Sequence, residues 1–225
     1  MKIAILGAAG VRSPLLLKAI LKRQKQLGLT DLALMDLDGE RLELIGTITA
    51  RQEMGATFKI TRTTDARAAL TGADFVLTTF RVGGTEARVV DERVPLRRGV
   101  LGQETTGPGG FAMALRSIPA ILEYAELLDR VSPGAWLYGF TNPAGLVTQA
   151  LRDAGFSRTV GICDGANVGH DSVAAMPARD RFLAWIYTGP VGHLYGTVAD
   201  LAQLWFLYLM SLAKHRLSGD GGLSS

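Results

Sequence analysis

The sequence predicts an α/β chain built on a doubly wound parallel sheet, and three observations predict it. Short runs rich in apolar and β-branched residues alternate regularly with longer stretches of helical period, the pattern of repeated βα units. The first run passes straight into a glycine-bearing turn that opens a helix, as the leading unit of a Rossmann-like sheet does. The 225 residues, 48% of them hydrophobic, suffice to bury the large core such a sheet requires.

Strands are expected at residues 2–6, 31–36, 58–62, 73–80, 135–140 and 159–163, with helices between them. After the first strand comes Gly7-Ala8-Ala9-Gly10-Val11-Arg12-Ser13, with Pro14 suited to an early helical position. Backbone N–H groups and the helix dipole at such a turn favour a pyrophosphate. The usual second and third glycines are here Ala9 and Ser13, so the motif fits an ordinary tight βα turn as well as a nucleotide loop. Gly7, Gly10 and Ser13 are the cofactor-binding candidates. Asp36, at the end of the second strand, suits hydrogen bonds from an adenosine ribose and disfavours a 2′-phosphate, which points to NAD. It could instead cap the next helix, a task Asp38 fills equally well.

Residues 81–110 break the rhythm. Gly83-Gly84, Gly99, Gly102 and Gly107-Pro108-Gly109-Gly110 punctuate a charged stretch that reads as a long functional loop. Asn142-Pro143, after the fifth strand, is a turn starter. Beyond Cys163 the pattern weakens: residues 165–169 read as loop, 176–181 as no clear element, and the tail after Leu217 as frayed.

Composition narrows the functional classes. A net charge of +3, from 24 basic and 21 acidic side chains without a polybasic run, gives no support for a nucleic-acid partner. The single cysteine excludes an internal disulfide and, with a first strand where a leader's apolar region would stand, points to the cytoplasm. Residues 198–213 are apolar, but Asp200 and Gln203 interrupt them and the run is short for a membrane span, so no membrane partner is expected.

Three stretches carry a resemblance: Phe80-Arg81-Val82-Gly83-Gly84 through Arg88; Gly102-Gln103-Glu104-Thr105-Thr106-Gly107-Pro108-Gly109-Gly110; and Thr141-Asn142-Pro143. Together with Asp91-Glu92-Arg93-Val94-Pro95-Leu96 and Leu115-Arg116-Ser117-Ile118-Pro119, they closely resemble family 4 glycoside hydrolases, from Met1 to about Asp164. The resemblance implies a glycosidase acting on a small sugar (phospho)glycoside without the usual flanking carboxylate pair. It implies NAD-dependent oxidation at C3 of the sugar, loss of an acidified C2 proton, elimination of the aglycone, addition of water and return of the hydride. A divalent metal, usually manganese, would polarise the C2 and C3 oxygens.

The same resemblance implies residue roles. Cys163 matches a metal ligand, against the common fate of a lone cysteine as a small buried hydrophobe. His193, thirty residues later, is the second ligand candidate, with His170 a poorer one and a solvated loop histidine the bland reading of either. Asp164 matches the proton donor of α-acting members, whereas residues 80–88 read more like β-acting ones, so the anomer stays open. Arg88 matches the arginine that grips a 6-phosphate, and is otherwise a solvated charge on a helix. Asn142 matches an amide that touches both cofactor and sugar; Gln103 and Glu104 resemble residues lining the site.

The catalytic base of such enzymes is a tyrosine farther along than this sequence runs, in a region that also dimerises. Tyr187, Tyr195 and Tyr208 sit in no matching motif. The expected organisation is a dinucleotide-binding domain over 1–164 and, over 165–225, a divergent or truncated start of a C-terminal substrate and dimerisation region, with a homo-oligomer expected if that region is complete. A lactate or malate dehydrogenase-like oxidoreductase lacks its histidine motif here. A non-catalytic NAD-binding module with an apolar C-terminus is the third reading.

Overall fold

In the computed structural model of the chain, residues 1–163 are described, and Met1–Cys163 is a compact unit. Six strands alternate with helices along the chain: β1 (Lys2–Leu6), α1 (Ser13–Leu27), β2 (Asp31–Met35), α2 (Gly39–Glu53), β3 (Lys59–Thr63), α3 (Ala66–Leu70), β4 (Phe75–Thr78), α4 (Gly84–Leu96), α5 (Gly107–Val131), β5 (Trp136–Gly139), α6 (Ala144–Asp153) and β6 (Thr159–Gly161).

All five strand pairings are parallel, in the order β3-β2-β1-β4-β5-β6. The chain winds outward from β1 to β3, then returns to β4 beside β1 and winds the other way. The crevice beyond the carboxyl ends of β1 and β4 is therefore the topological switch point, where open α/β sheets bind their ligands.

The strand sequences explain the two packed faces. Successive side chains point to opposite sides. Ala4 and Leu6 of β1 with Ala33 and Met35 of β2 join Leu70, Ile121, Leu128 and Leu151 in one core cluster. Ile5 of β1 with Leu32 and Leu34 of β2 joins Leu17, Ile20 and Leu42 in the other. Helices α1 and α2 thus cover one face, and α3, α5 and α6 the other. Burial on both faces is why these strands read as continuous apolar runs rather than alternating ones.

Caps fix the helix ends around the site. Asp38 accepts from Arg41 N at 3.0 Å and caps α2, so the capping alternative for Asp36 falls to its neighbour. Gly28 closes α1 in a left-handed conformation with φ 59°.

Three expectations need correction. Residues 81–110 are not one long loop, since Gly84–Leu96 forms helix α4 and Gly107 begins α5. The glycines lie at or outside the ends of α4 and bracket it. The last strand ends at Gly161, leaving Cys163 two residues past it and exposed, so the buried-hydrophobe alternative for Cys163 is also wrong. The fourth strand spans Phe75–Thr78, shorter than expected. Among the described residues no helix is long and apolar enough to cross a membrane. Residues 198–213, the loop at 165–169, the segment 176–181 and the tail after Leu217 lie outside the described residues.

Candidate functional site

The turn after β1 is locked into place from beneath. Gly7 N and Ala8 N both donate to Met35 O, at 2.9 and 3.0 Å. Ala9 N donates to the Asp36 carboxylate at 2.9 Å, and Gly10 N reaches Gly7 O at 3.3 Å. The first four amides of the loop therefore serve the fold, and the expectation of a run of exposed N–H groups is narrowed. Val11, 84% exposed, carries the next amide, which has no partner among the described residues.

The two loop glycines do different jobs. At Gly7, φ is +93° and a Cβ would stand 2.5 Å from Phe80 N, so the fold itself demands glycine. At Gly10 a Cβ would meet only Gly7 O, at 3.4 Å. The fold tolerates a side chain there, and its absence leaves backbone open to a close-fitting ligand. Ser13, buried, begins α1 and donates its N–H to Gly10 O at 3.0 Å. These features fit the pyrophosphate of a dinucleotide.

Asp36 follows β2 directly and is partly buried. Its Oδ2 accepts from Ala9 N, and its Oδ1 accepts from Asp38 N at 3.1 Å. Each carboxylate oxygen has two lone pairs, so both keep capacity for a ribose hydroxyl. The same negative charge opposes a 2′-phosphate. Tyr124 of α5 packs against Phe80 with the rings tilted, their centroids 5.4 Å apart. Burial, then the charges of Asp36 and Glu123, push its phenol above the ordinary range.

A second group of polar side chains lies beyond β4 and β5. Arg81 follows β4, Arg88 is on α4, Glu104 is between α4 and α5, and Asn142 follows β5. Glu104, with a side chain only 18% exposed, accepts from Arg81 Nη2 at 2.6 Å and from Asn142 Nδ2 at 3.2 Å, and pairs with Arg88 Nε at 3.5 Å. Arg88 Nε also bonds Glu92 at 2.7 Å. The hydrogen bond to Glu92, with the nearby charge of Glu104, raises the Arg88 guanidinium above its ordinary value against the opposing effect of burial. Arg88 is therefore not the freely solvated charge of the bland reading. Asn142 does begin a turn, since α6 starts at Ala144, yet its amide is turned onto Glu104.

Beneath this group, buried Asp91 of α4 is forked by Arg116 of α5, through Nη1–Oδ1 at 3.0 Å and a second bond from Nη2 to Oδ2. Backbone packing is close here: a Cβ at Gly102 would run into Glu92 O, and one at Gly109 into Gln103 O. Thr141 donates to Thr78 across β4 and β5 at 3.2 Å. Arg12 sits over the Phe140 ring at 5.1 Å, joining the β1 loop to the end of β5.

Cys163 lies past β6 at the same edge of the sheet. Asp164, His170 and His193 lie outside the described residues, as do Tyr187, Tyr195 and Tyr208. No group of three metal-binding side chains occurs among the described residues, so only the Cys163 member of the expected pair has a place here. Cys163 is exposed, and a cysteine sulfur suits a divalent ion of borderline softness. A cleft of about 340 Å³ lined by Leu128, Ser132, Phe156 and Arg158 lies at the opposite, amino-terminal edge. It holds none of these polar groups, and we place the site by the switch point instead. Sequence reasoning missed the roles of Asp91, Arg116 and Arg81; a buried acid 25 residues from its partner leaves no local signal.

Residues 2–178 match the model of the family 4 glycosyl hydrolases. The chain belongs to this family. A Bacillus subtilis protein named "Probable 6-phospho-beta-glucosidase" is 45% identical over 169 residues, covering 73% of this chain and 38% of that protein. The 6-phospho-alpha-glucosidase 1 of Lacticaseibacillus paracasei is 36% identical over 165 residues, covering 72% of this chain and 37% of its own length. Among solved structures, the 6-phospho-beta glucosidase of Thermotoga maritima, with manganese, NAD+ and glucose-6-phosphate, superposes with a TM-score of 0.71 at 30% identity, covering 85% of this chain and 44% of that one. The six-stranded parallel sheet matches the family's dinucleotide-binding fold. The chain spans under two fifths of the length of these two curated relatives.

Proposed function

We propose that this family 4 chain hydrolyses the O-glycosidic bond of 6-phospho-glycosides by an NAD-dependent redox route, with residues 1–164 as the dinucleotide-binding domain and 165–225 as the start of the substrate and dimerisation region. The observation that carries the reading is the gathering of the β1 loop, Asp36, the Arg88–Glu104–Asn142 network and Cys163 at one edge of the sheet. Relatives named as 6-phospho-glucosidases at 36 and 45% identity support it, as does a related structure holding manganese, NAD+ and glucose-6-phosphate. A cytoplasmic location, and a homo-oligomer if the C-terminal region is complete, remain part of the proposal.

Gly7, Gly10 and Ser13 shape the turn for the pyrophosphate, Asp36 receives the adenosine ribose, and Asn142 meets cofactor and sugar. Arg88 binds the 6-phosphate through its Nη groups, which have no partner among the described residues. Cys163 and His193 hold the metal. Bound NAD supplies a hydride acceptor for C3 of the sugar, and the divalent ion supplies Lewis acidity at its oxygens. Asp164, next to Cys163, delivers a proton to the departing oxygen, which requires surroundings that keep it protonated near neutral pH.

The test is nitrophenol release from α- and β-linked nitrophenyl 6-phosphoglucosides by the purified chain with NAD, manganese and a reductant. Release from one anomer that stops on chelation and resumes with added manganese would show that the chain carries a base for the C2 proton, whereas dinucleotide binding without release would mark an inactive fragment or a non-catalytic relative. Release independent of both NAD and metal would refute the redox route.

A further inference from the structure

Glu104 contacts three chain segments through three different polar groups, and what it leaves open is as informative as what it takes. It engages Arg81 by Nη2, Arg88 by Nε and Asn142 by Nδ2. A carboxylate only accepts. The Asn142 edge facing it must therefore be the NH2 group, which turns Oδ1 the other way as an acceptor for a hydroxyl. On Arg88, Glu92 and Glu104 both lie at Nε, and the Nη pair is left over. That pair is the edge of a guanidinium that forks a phosphate.

Arg81 and Arg88 face Glu92 and Glu104. Glu104 is only 18% exposed, and on either side of it the backbone packs closely, Gly102 against Glu92 and Gly109 against Gln103.

We propose that Glu104 is a positioning residue for the phosphorylated sugar: it holds Arg88, Arg81 and Asn142 each by one polar group, so that their remaining groups serve one ligand, with Arg81 as a second cation of the phosphate site. This rests on the function proposed above. Glu104 touches no reacting atom. It acts through the three side chains it orients.

The experiment is calorimetric titration of the full chain with glucose 6-phosphate, and with ADP as a probe of the cofactor's adenosine end, in parent, Glu104→Gln and Arg88→Gln forms and the double variant. Glutamine preserves shape but gives up the charge. We expect Glu104→Gln to weaken glucose 6-phosphate about tenfold, the cost of losing charge-assisted hydrogen bonds that set the arginines. ADP affinity and melting temperature should stay at parental values. In the Arg88→Gln background the further loss should be clearly smaller, because the two residues act on one phosphate. Unchanged glucose 6-phosphate binding in Glu104→Gln would overturn the inference. A parallel loss of ADP binding and melting temperature would overturn it too, showing a merely structural role. A parent chain that bound ADP but not glucose 6-phosphate would remove the phosphate site and this inference with it, while one that bound neither would remove the functional reading itself.

Discussion

Replacing Gly7 with alanine is expected to destabilise the chain by on the order of 3 kcal/mol and to abolish dinucleotide binding. Two effects add. The residue sits at φ +93°, where a side chain is strained, and the new Cβ would stand 2.5 Å from the backbone nitrogen of Phe80. Backbone cannot swing aside as a side-chain tip can. Relief would need the β1 loop to part from β4, which would break the bonds from Gly7 N and Ala8 N to Met35 O and from Thr79 to Leu6 and Gly7. Thermal denaturation reads the first consequence, as a fall of about 6–12 °C for a chain of this size. Gly10→Ala is the control. Its Cβ meets nothing closer than 3.4 Å, so it should melt close to the parent yet bind dinucleotide more weakly. If both variants melted alike, the distinction between a fold glycine and a ligand glycine would be wrong.

Arg116→Ala is expected to cost about 3–5 kcal/mol, because it strands the Asp91 carboxylate without a counter-charge. The Asp91 side chain is only 4% exposed and Arg116 is 32% exposed. That asymmetry predicts an order. Asp91→Asn leaves a cation that water can reach, and should cost less than Arg116→Ala. Arg116→Lys keeps charge but cannot fork both carboxylate oxygens, and should fall between the parent and the alanine variant. The hydrogen bond to Asp91 raises the Arg116 guanidinium above its ordinary value, so the arginine stays charged throughout any practical pH range. Denaturant titration of the three variants reads the order. Asp91→Asn costing more than Arg116→Ala would mean that the buried acid is not what the pair protects.

The sheet was legible because its strands are buried on both faces. Runs such as Lys2–Leu6 and Asp31–Met35 supply apolar side chains to both clusters and stand out from the helices as short blocks. Turn chemistry was legible where it is local, as in the Asp38 cap on Arg41 N, whereas the contacts that demand glycine at position 7, with Met35 and Phe80, and the Asp36 bond to Ala9 are distant in sequence. Helix α4 was hidden because its polarity is inverted. It buries Asp91 and Pro95 while Val90 and Val94 are 59 and 54% exposed, so the apolar period that normally announces a core-facing helix is silent. With glycines at both ends, the stretch looked like a loop.

The candidate site divides in the same way. Gly7, Gly10, Ser13, Asp36, Arg88 and Asn142 all lie at or beside the carboxyl edge. Their partnerships were not readable. That Asp91 meets Arg116, or that Glu104 gathers Arg81, Arg88 and Asn142, depends on how α4 and α5 pack, and residues 16 to 38 positions apart carry no pattern of their own.

The measurement that bears most directly on the account is titration of the full chain with NAD and with NADP under matched salt. Asp36, held by the amides of Ala9 and Asp38, is on the proposed reading the carboxylate that disfavours a 2′-phosphate. The account predicts saturable binding of NAD, weaker binding of NADP, and a narrowed difference between them in Asp36→Ala. Binding of NADP as tight as NAD, or no binding of either, would contradict it.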